Sequence, residues 1–328
     1  HLQDQSSLKA AGNGPLRGTV VAVDFSSPNT AKQMHVGHIR STVIGETLCR
    51  LLEFQGARTI RDNHVGDWGT QFGILIMAIH HFGMNLDADA PDALEQLEGL
   101  YRRGSALTKE FPEQLEIARR ELVKLQNGDK ESLALWEQIN SISYKAFQEI
   151  YDRLGVRFDH VLGESFYRDK VEDVYQGLEK SGIAEQSEGA LVVFHPEHPR
   201  FKKQPFIVRK SDGASNYATT DLATILYRIK EWKAEEIIYV TDGRQQDHFE
   251  QLFLTANKWL QQLSGIDKAG LRHVWFGTIL GEDGKAIKTR SGDPIKLKDL
   301  LAEAIDRARM IVEKKNPDLT TEERQRIA

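Results

Sequence analysis

Residues 20–40 read VVAVDFSSPNTAKQMHVGHIR, and this stretch decides the fold. Its opening, Val20 to Phe25, is a short β-branched run typical of a buried parallel strand. The polar residues Ser26 to Asn29 end the run, and apolar residues then recur at helical spacing from Val36 until Gly56. A strand, a polar loop and a helix in this order predict the first half of a βαβ unit.

The rest of the chain repeats this alternation. We predict a doubly wound α/β fold with a parallel, Rossmann-like sheet that two insertions interrupt. The further predicted strands are Arg58–Asn63, Arg157–Leu162, Glu236–Thr241 and His273–Ile279, and the further predicted helices include Ser132–Leu154 and Tyr217–Trp232.

Changes in composition predict seven segments. They are a polar tail or linker over 1–18, the first part of the α/β domain over 19–85, a helical insertion over 86–131, a continuation of the domain over 132–165, a second insertion over 166–212, the second half of the domain over 213–280, and a glycine-bracketed loop with a charged helical end over 281–328.

Composition excludes several classes of protein. The chain has 328 residues, 40% hydrophobic and 28% charged, which is typical of a globular protein. The one cysteine, Cys49, excludes an internal disulfide and a Cys-rich zinc module. A net charge of −5 restricts any nucleic-acid binding to a local basic patch. No apolar run reaches the ~20 residues that a membrane-spanning helix needs. Without a visible secretory signal, we expect a cytoplasmic location.

Two histidines occupy the first strand-to-helix junction. His35 and His38 are three residues apart, so both rings lie on one face of the first helical turn, where free backbone N–H groups suit a phosphate chain. The imidazoles could donate hydrogen bonds to a phosphoryl group in transfer. Gly37 would let a flat base lie against the backbone, and Lys32 could reach the same phosphates. The alternative is that these are ordinary packed or solvated side chains.

A second basic element lies between Gly281 and Gly292. Lys285, Lys288 and Arg290 could close over a polyphosphate on a flexible loop. An exposed β-hairpin with ordinary surface charge explains the same residues.

Acidic residues form a third candidate group. Glu164 follows a predicted strand, and Asp221 lies four residues after Tyr217, hence on the same helical face. Two carboxylates and a phenol facing one cavity would bind a planar guanidinium. Taken singly, each acid is more often a helix cap or a surface charge than a ligand.

The chain resembles the arginyl-tRNA synthetases, which are class I aminoacyl-tRNA synthetases. His35-Val36-Gly37-His38 is similar to the HIGH motif of the class, within a longer matching run from Ser27 to Thr42. The resemblance extends over about Val20 to Gly292. The further matching blocks are Gly66 to Gly73, Gly163-Glu164-Ser165, Tyr217 with Asp221, and Gln245 to His248.

The resemblance implies activation of arginine by ATP, followed by transfer to the terminal ribose of tRNA. It implies that Asn29 and Gln245 hold the α-amino end of arginine, that Glu164, Tyr217 and Asp221 hold the guanidinium, and that His35, Gly37 and His38 bind ATP. The loop that should read KMSKS lacks its second lysine, and Lys32 is the implied replacement cation.

The resemblance also implies a catalytic-domain fragment of HUP type. Residues 166–212 would be the connective-peptide-like insertion, residues 281–328 the KMSKS-like loop and the start of a stem-contact region, and the anticodon-binding domain would be absent. The implied partners are L-arginine, ATP with Mg²⁺ and tRNA(Arg), without bound zinc or a membrane, and we expect a monomer.

Three other functions stay open at this point. The chain could be a class I synthetase for another amino acid, or a nucleotidyltransferase that uses the histidine pair to adenylate a small molecule. It could also be a non-catalytic relative that binds RNA or a partner protein.

Overall fold

The computed structural model describes residues 14–211, 217–265, 268–277, 279–280, 284 and 295–327. They form two units. One comprises the described parts of residues 1–29, 41–69 and 156–277, and the other the described parts of 30–40, 70–155 and 278–328.

The strands are β1 Val20–Asp24, β2 Arg58–Asp62, β3 Glu185–Ser187, β4 Ala190–Val193, β5 Phe206–Arg209, β6 Glu236–Asp242 and β7 Gly270–Phe276. The helices are α1 Val36–Phe54, α2 Thr70–Phe82, α3 Ala93–Glu110, α4 Pro112–Gln126, α5 Lys130–Leu154, α6 Glu164–Tyr167, α7 Val171–Lys180, α8 Tyr217–Lys230, α9 Gln246–Leu260, α10 Leu297–Lys315 and α11 Thr321–Ile327.

The first unit contains a parallel sheet of four strands in the order β2-β1-β6-β7. Ala22 and Ile237 belong to a large core cluster with residues of α7, α8 and α9. Their strand neighbours Val23 and Ile238 are also buried, and they point to the opposite face because side chains alternate along a strand. Burial on both faces explains the continuous apolar runs and confirms the predicted doubly wound α/β fold.

Helix α1 packs closely on this sheet through small residues. A Cβ on Gly45 would overlap the Phe25 ring, so only glycine allows the approach. The Ser41 hydroxyl donates to the Val240 carbonyl at 2.5 Å. These contacts position the chain between β1 and α1, which carries the first candidate motif.

A second, antiparallel sheet in the same unit has the order β3-β4-β5. It lies within residues 166–212, where the sequence predicts an insertion. Its apolar residues, among them Leu191 and Val208, join the core cluster of the unit.

The strand predicted over Arg157–Leu162 is wrong. The segment makes one isolated bridge, His160 with Asp62 of β2. The backbone N–H groups of Asp159 and His160 both donate to the Arg61 carbonyl, and the Asp159 carboxylate accepts from the Arg61 N–H at 2.8 Å. A side chain therefore replaces the ladder bond that would extend the sheet.

The second unit is helical where the structure describes it. α2 and α4 approach each other closely at Gly73, where a Cβ would overlap the Ala118 carbonyl. The absence of a side chain at Gly73 allows this approach. α5 begins after Asp129, whose carboxylate accepts from the Ser132 N–H at 3.0 Å, and it ends at Gly155 with φ of 63°. The helices α3 and α4 fall in the predicted helical insertion over 86–131, and the predicted segment boundaries stay predictions.

Of the helices that the structure describes, none is both long and apolar enough to cross a bilayer. Most of the predicted tail over 1–18 lies outside the described residues, and so do Lys285, Lys288 and Arg290.

Candidate active site

The loop between β1 and α1 has an unusual backbone. The backbone φ angles of three residues are positive, which is rare for residues other than glycine. They are 71° at Ser26, 46° at Ser27 and 60° at Ala31. Hydrogen bonds hold them in place: the Ser26 N–H donates to Ser41 Oγ and the Ala31 N–H to Ser143 Oγ. Such strain costs of order 1–3 kcal/mol per residue and is concentrated at functional sites.

At the end of this loop the rings of His35 and His38 are stacked obliquely, with centroids 4.0 Å apart. The Nδ1 atom of each ring accepts a backbone N–H at 3.0 Å, from Gly37 in the case of His35 and from His35 in the case of His38. A neutral imidazole with Nδ1 as acceptor carries its proton on Nε2. Both rings are therefore set as Nε2–H donors.

Burial, together with the charge of His35, lowers the pKa of His38 to about 3. The ring is neutral at physiological pH. It can donate a hydrogen bond to a phosphate oxygen, but it does not act as a cation there.

Gly37 is required by its neighbour. A Cβ at this position would lie 2.8 Å from Cε1 of the His35 ring. A side chain here would displace the His35 ring, and the role of Gly37 in holding a base stays a prediction.

The segment before α1 pairs with the chain that follows the basic loop. The Val36 N–H donates to the Ile295 carbonyl and the Leu297 N–H to the Met34 carbonyl, both at 2.8 Å. His35 and Lys296 form the bridge between them. Residues that follow Arg290 closely in sequence therefore lie beside His35.

Lys32 and Asn29 are both exposed. The Lys32 ammonium lies 5.3 Å from the centroid of the Tyr101 ring, a cation–π contact. Asn29 bridges to Gly66, where a Cβ would overlap the Asn29 side-chain oxygen.

Glu164, Tyr217 and Asp221 come together in the first unit. Burial, and then the charges of Asp67 and Asp221, raise the pKa of Glu164 to about 8. The charge of Glu164, burial and the charge of Asp221 raise the pKa of Tyr217. Among the described residues, the Glu164 carboxylate has neither an ion-pair nor a hydrogen-bond partner. The cluster is therefore an acidic site in which Glu164, unlike Asp221, has no basic partner among the described residues.

Asp221 has one basic partner. His248 Nε2 lies 2.6 Å from Asp221 Oδ2. Burial lowers the pKa of His248, but the hydrogen bond and the charge of Asp221 outweigh burial, so the pKa is raised overall. Burial and the charge of His248 lower the pKa of the neighbouring His273 to about 4.

Two residues of this site received no role from sequence reasoning, although both lie in blocks that match the family. Asp67 binds Ser165, the residue after Glu164, and His248 binds Asp221. Asp67 follows β2 closely, and a position just beyond a parallel strand could have indicated it. Gln245, which was predicted, is exposed on the 3₁₀ turn Gly243–Gln245 at the end of β6.

The core of the first unit holds a buried ion pair network. Arg228 donates to Asp24 and Asp62, each at 2.6 Å, and all three residues are at most 5% exposed. In the described ranges, no three His, Cys, Asp or Glu side chains are grouped so that they could hold a metal ion.

Comparison with known proteins identifies relatives over nearly the whole chain. A family profile described as "tRNA synthetases class I (R), catalytic domain" matches residues 5–328. An arginine–tRNA ligase of Crocosphaera subtropica is 48% identical over 303 residues, which are 89% of this chain and 50% of that protein. The chain spans about half the length of the curated relatives it matches.

Solved structures agree with this match. The crystal structure of arginyl-tRNA synthetase from Plasmodium falciparum superposes with a TM-score of 0.74 at 35% identity, over 92% of this chain and 48% of that one. The Thermus thermophilus arginyl-tRNA synthetase has a TM-score of 0.72 at 23% identity, over 98% and 59% of the two chains, and supports the fold alone.

Proposed function

Because this chain belongs to the class I arginyl-tRNA synthetase catalytic-domain family, we propose that the protein activates L-arginine with ATP and transfers it to tRNA(Arg). In the first step an arginine carboxylate oxygen attacks the α-phosphorus of ATP. The bond from that phosphorus to the bridging oxygen breaks, which releases pyrophosphate and forms arginyl-adenylate. In the second step a terminal ribose hydroxyl of tRNA attacks the arginyl carbonyl, its proton is lost and AMP leaves.

One observation carries the choice of substrate: the Glu164 carboxylate lies close to Asp67 and Asp221 without a partner of its own among the described residues. The neighbouring acids raise the pKa of Glu164 to about 8, and a bound cation would stabilise its ionised form. A guanidinium offers five N–H donors in a plane and can bind two carboxylates at once. An ammonium lacks this geometry, so the site favours arginine over lysine.

The histidine pair supports the ATP half of the reaction. With Nδ1 occupied by backbone N–H groups, His35 and His38 present Nε2–H groups that would bind phosphate oxygens as charge develops in the transition state. Lys32 would add a positive charge, together with Lys285, Lys288 and Arg290. Asn29 and Gln245 would hold the α-amino end of arginine.

We further propose that Mg²⁺ arrives with the phosphates of ATP, that the protein acts in the cytoplasm and that it is a monomer. Mg²⁺ is commonly held by substrate phosphates with few protein ligands. Size-exclusion chromatography with light scattering would test the oligomeric state.

The direct test of function is charging of tRNA with labelled arginine by the full-length protein. We expect charging with arginine and none with lysine, and exchange of labelled pyrophosphate into ATP only when tRNA is present. Glu164→Gln should raise the KM for arginine while the KM for ATP stays the same. Exchange driven by another amino acid would contradict the specificity, exchange without tRNA would favour a small-molecule nucleotidyltransferase, and binding of neither arginine nor ATP would favour a non-catalytic protein.

A further inference from the structure

Asp67 contacts both sequence neighbours of Glu164. Its Oδ1 accepts the backbone N–H of Ser165 at 2.9 Å, and its Oδ2 accepts the Ser165 hydroxyl at 2.6 Å. Asp67 is only 3% exposed. Hydrogen bonds to a buried ionised carboxylate are short and about twice as strong as neutral ones, so this contact restrains Ser165 firmly.

Gly163, on the other side of Glu164, packs directly on the same carboxyl group. A Cβ at this position would overlap the carboxyl atoms of Asp67. The backbone at Gly163 is extended, with φ of −79°, so glycine is needed here for space rather than for conformation. The Glu164 N–H in turn donates to the Val65 carbonyl at 3.1 Å. Three consecutive residues are therefore held by the segment that carries Asp67.

We propose that Asp67 is a positioning residue for arginine recognition, which holds residues 163–165 so that the Glu164 carboxyl group stays beside Asp221. This role rests on the proposed function of Glu164 as a ligand of the guanidinium. Asp67 itself is occupied by Ser165 and does not take the guanidinium.

The charge of Asp67 has a second consequence. After burial, it is the largest of the effects that raise the pKa of Glu164 to about 8, and Asp221 is the next. The other titratable groups at this site are Tyr217 and His248, the latter bound to Asp221. Near pH 7 the Glu164 carboxyl group is therefore mostly protonated, and it must lose this proton to the buffer when a guanidinium binds.

The test is calorimetric titration of the full-length protein with L-arginine at pH 7, in buffers of different ionisation enthalpy. This measurement counts the protons released on binding. We expect close to one proton for the wild type and measurably fewer for Asp67→Asn, since the variant removes one of the charges that raise the pKa of Glu164. At pH 8.5, where Glu164 is mostly ionised in both proteins, the Kd of the variant should be about tenfold higher because neutral hydrogen bonds hold Ser165 less firmly.

Two further variants separate position from charge. Ser165→Ala removes the hydroxyl donor but keeps the charge, so the Kd should rise while proton release stays as in the wild type. Asp169→Asn is the control, because it makes the same change of charge at a side chain that is 82% exposed. Its Kd for arginine and its proton release should match the wild type. Circular dichroism establishes that each variant is folded, and if Asp67→Asn is not, Ser165→Ala decides the positioning role.

The outcomes distinguish this inference from the proposed function. If Glu164→Gln abolishes arginine binding but Asp67→Asn keeps the wild-type Kd and proton release, the role of Asp67 is wrong and the function stands. If Glu164→Gln itself leaves both values unchanged, the assignment of the guanidinium site is wrong.

Discussion

The affinity for arginine should depend steeply on pH below neutrality. Only ionised Glu164 attracts a guanidinium, and its pKa in the free protein is raised to about 8. The ionised fraction is then about one eleventh at pH 7 and about one hundredth at pH 6. We therefore expect the Kd for arginine to rise about tenfold from pH 7 to pH 6, which corresponds to ~1.4 kcal/mol of lost binding free energy.

The raised pKa of Glu164 determines that the affinity for arginine falls, rather than rises, as the pH is lowered. Because the pKa of free Glu164 is raised, the carboxyl group must be deprotonated at a free-energy cost before it binds, and this cost grows as the pH falls. Arginine itself contributes nothing to the slope through its guanidinium, which stays charged throughout this range. The bond from His248 to Asp221 adds a weaker dependence in the same direction, since protonated His248 neutralises Asp221.

The assay is calorimetric titration of arginine at half-unit steps from pH 6 to pH 8.5. Glu164→Gln is the control, because it keeps the shape of the side chain but has no proton to lose, so its affinity should be low and much less dependent on pH. His248→Gln removes the titratable imidazole beside Asp221, and with it the weaker pH dependence. A wild-type affinity that stays constant between pH 6 and pH 8 would show that Glu164 does not titrate on arginine binding.

Three substitutions test the remaining parts of the account. Asp221→Asn should weaken arginine binding by about 2–5 kcal/mol, measured as KM for arginine, and an unchanged KM would contradict its role as a guanidinium ligand. His38→Ala should slow adenylate formation by about one to three orders of magnitude in single-turnover experiments with nearly unchanged ATP affinity, because it removes one donor to the transition state, and a rate within twofold of wild type would exclude that role. Arg228→Met should lower the free energy of unfolding by about 3–5 kcal/mol in urea titrations, because Asp24 and Asp62 lose their buried partner. Part of this loss should be recovered at low pH as Asp62, whose pKa is raised by burial, becomes protonated, and a loss below ~1 kcal/mol would show that the network is not a source of stability.

Local patterns predicted the sheet well. The apolar run Val20 to Phe25 corresponds to β1, and the run from Glu236 corresponds to β6, because parallel strands buried on both faces must be continuously apolar. The run Arg157 to Leu162 contains an arginine, an aspartate and a histidine among its apolar residues, and it is not a strand. The Asp159 carboxylate accepts the Arg61 N–H in place of a strand partner, and the two residues are 98 positions apart in sequence.

At the site, too, local sequence patterns were predictive and contacts between residues distant in sequence were not. The histidine pair was predictable because a spacing of three residues places both rings on one helical face. The association of Glu164 with Asp221 came from the resemblance and from the position after a predicted strand. Asp67 and His248 lie in matching blocks, but their contacts were not predictable because their partners lie 98 and 27 residues away and no local pattern records such contacts.

The most direct measurement is a crystal structure of the full-length protein with L-arginine bound. We predict that the guanidinium lies between the carboxylates of Glu164 and Asp221, within hydrogen-bond distance of both, with Asp67 still bound to Ser165. An arginine whose guanidinium contacts neither carboxylate would contradict it.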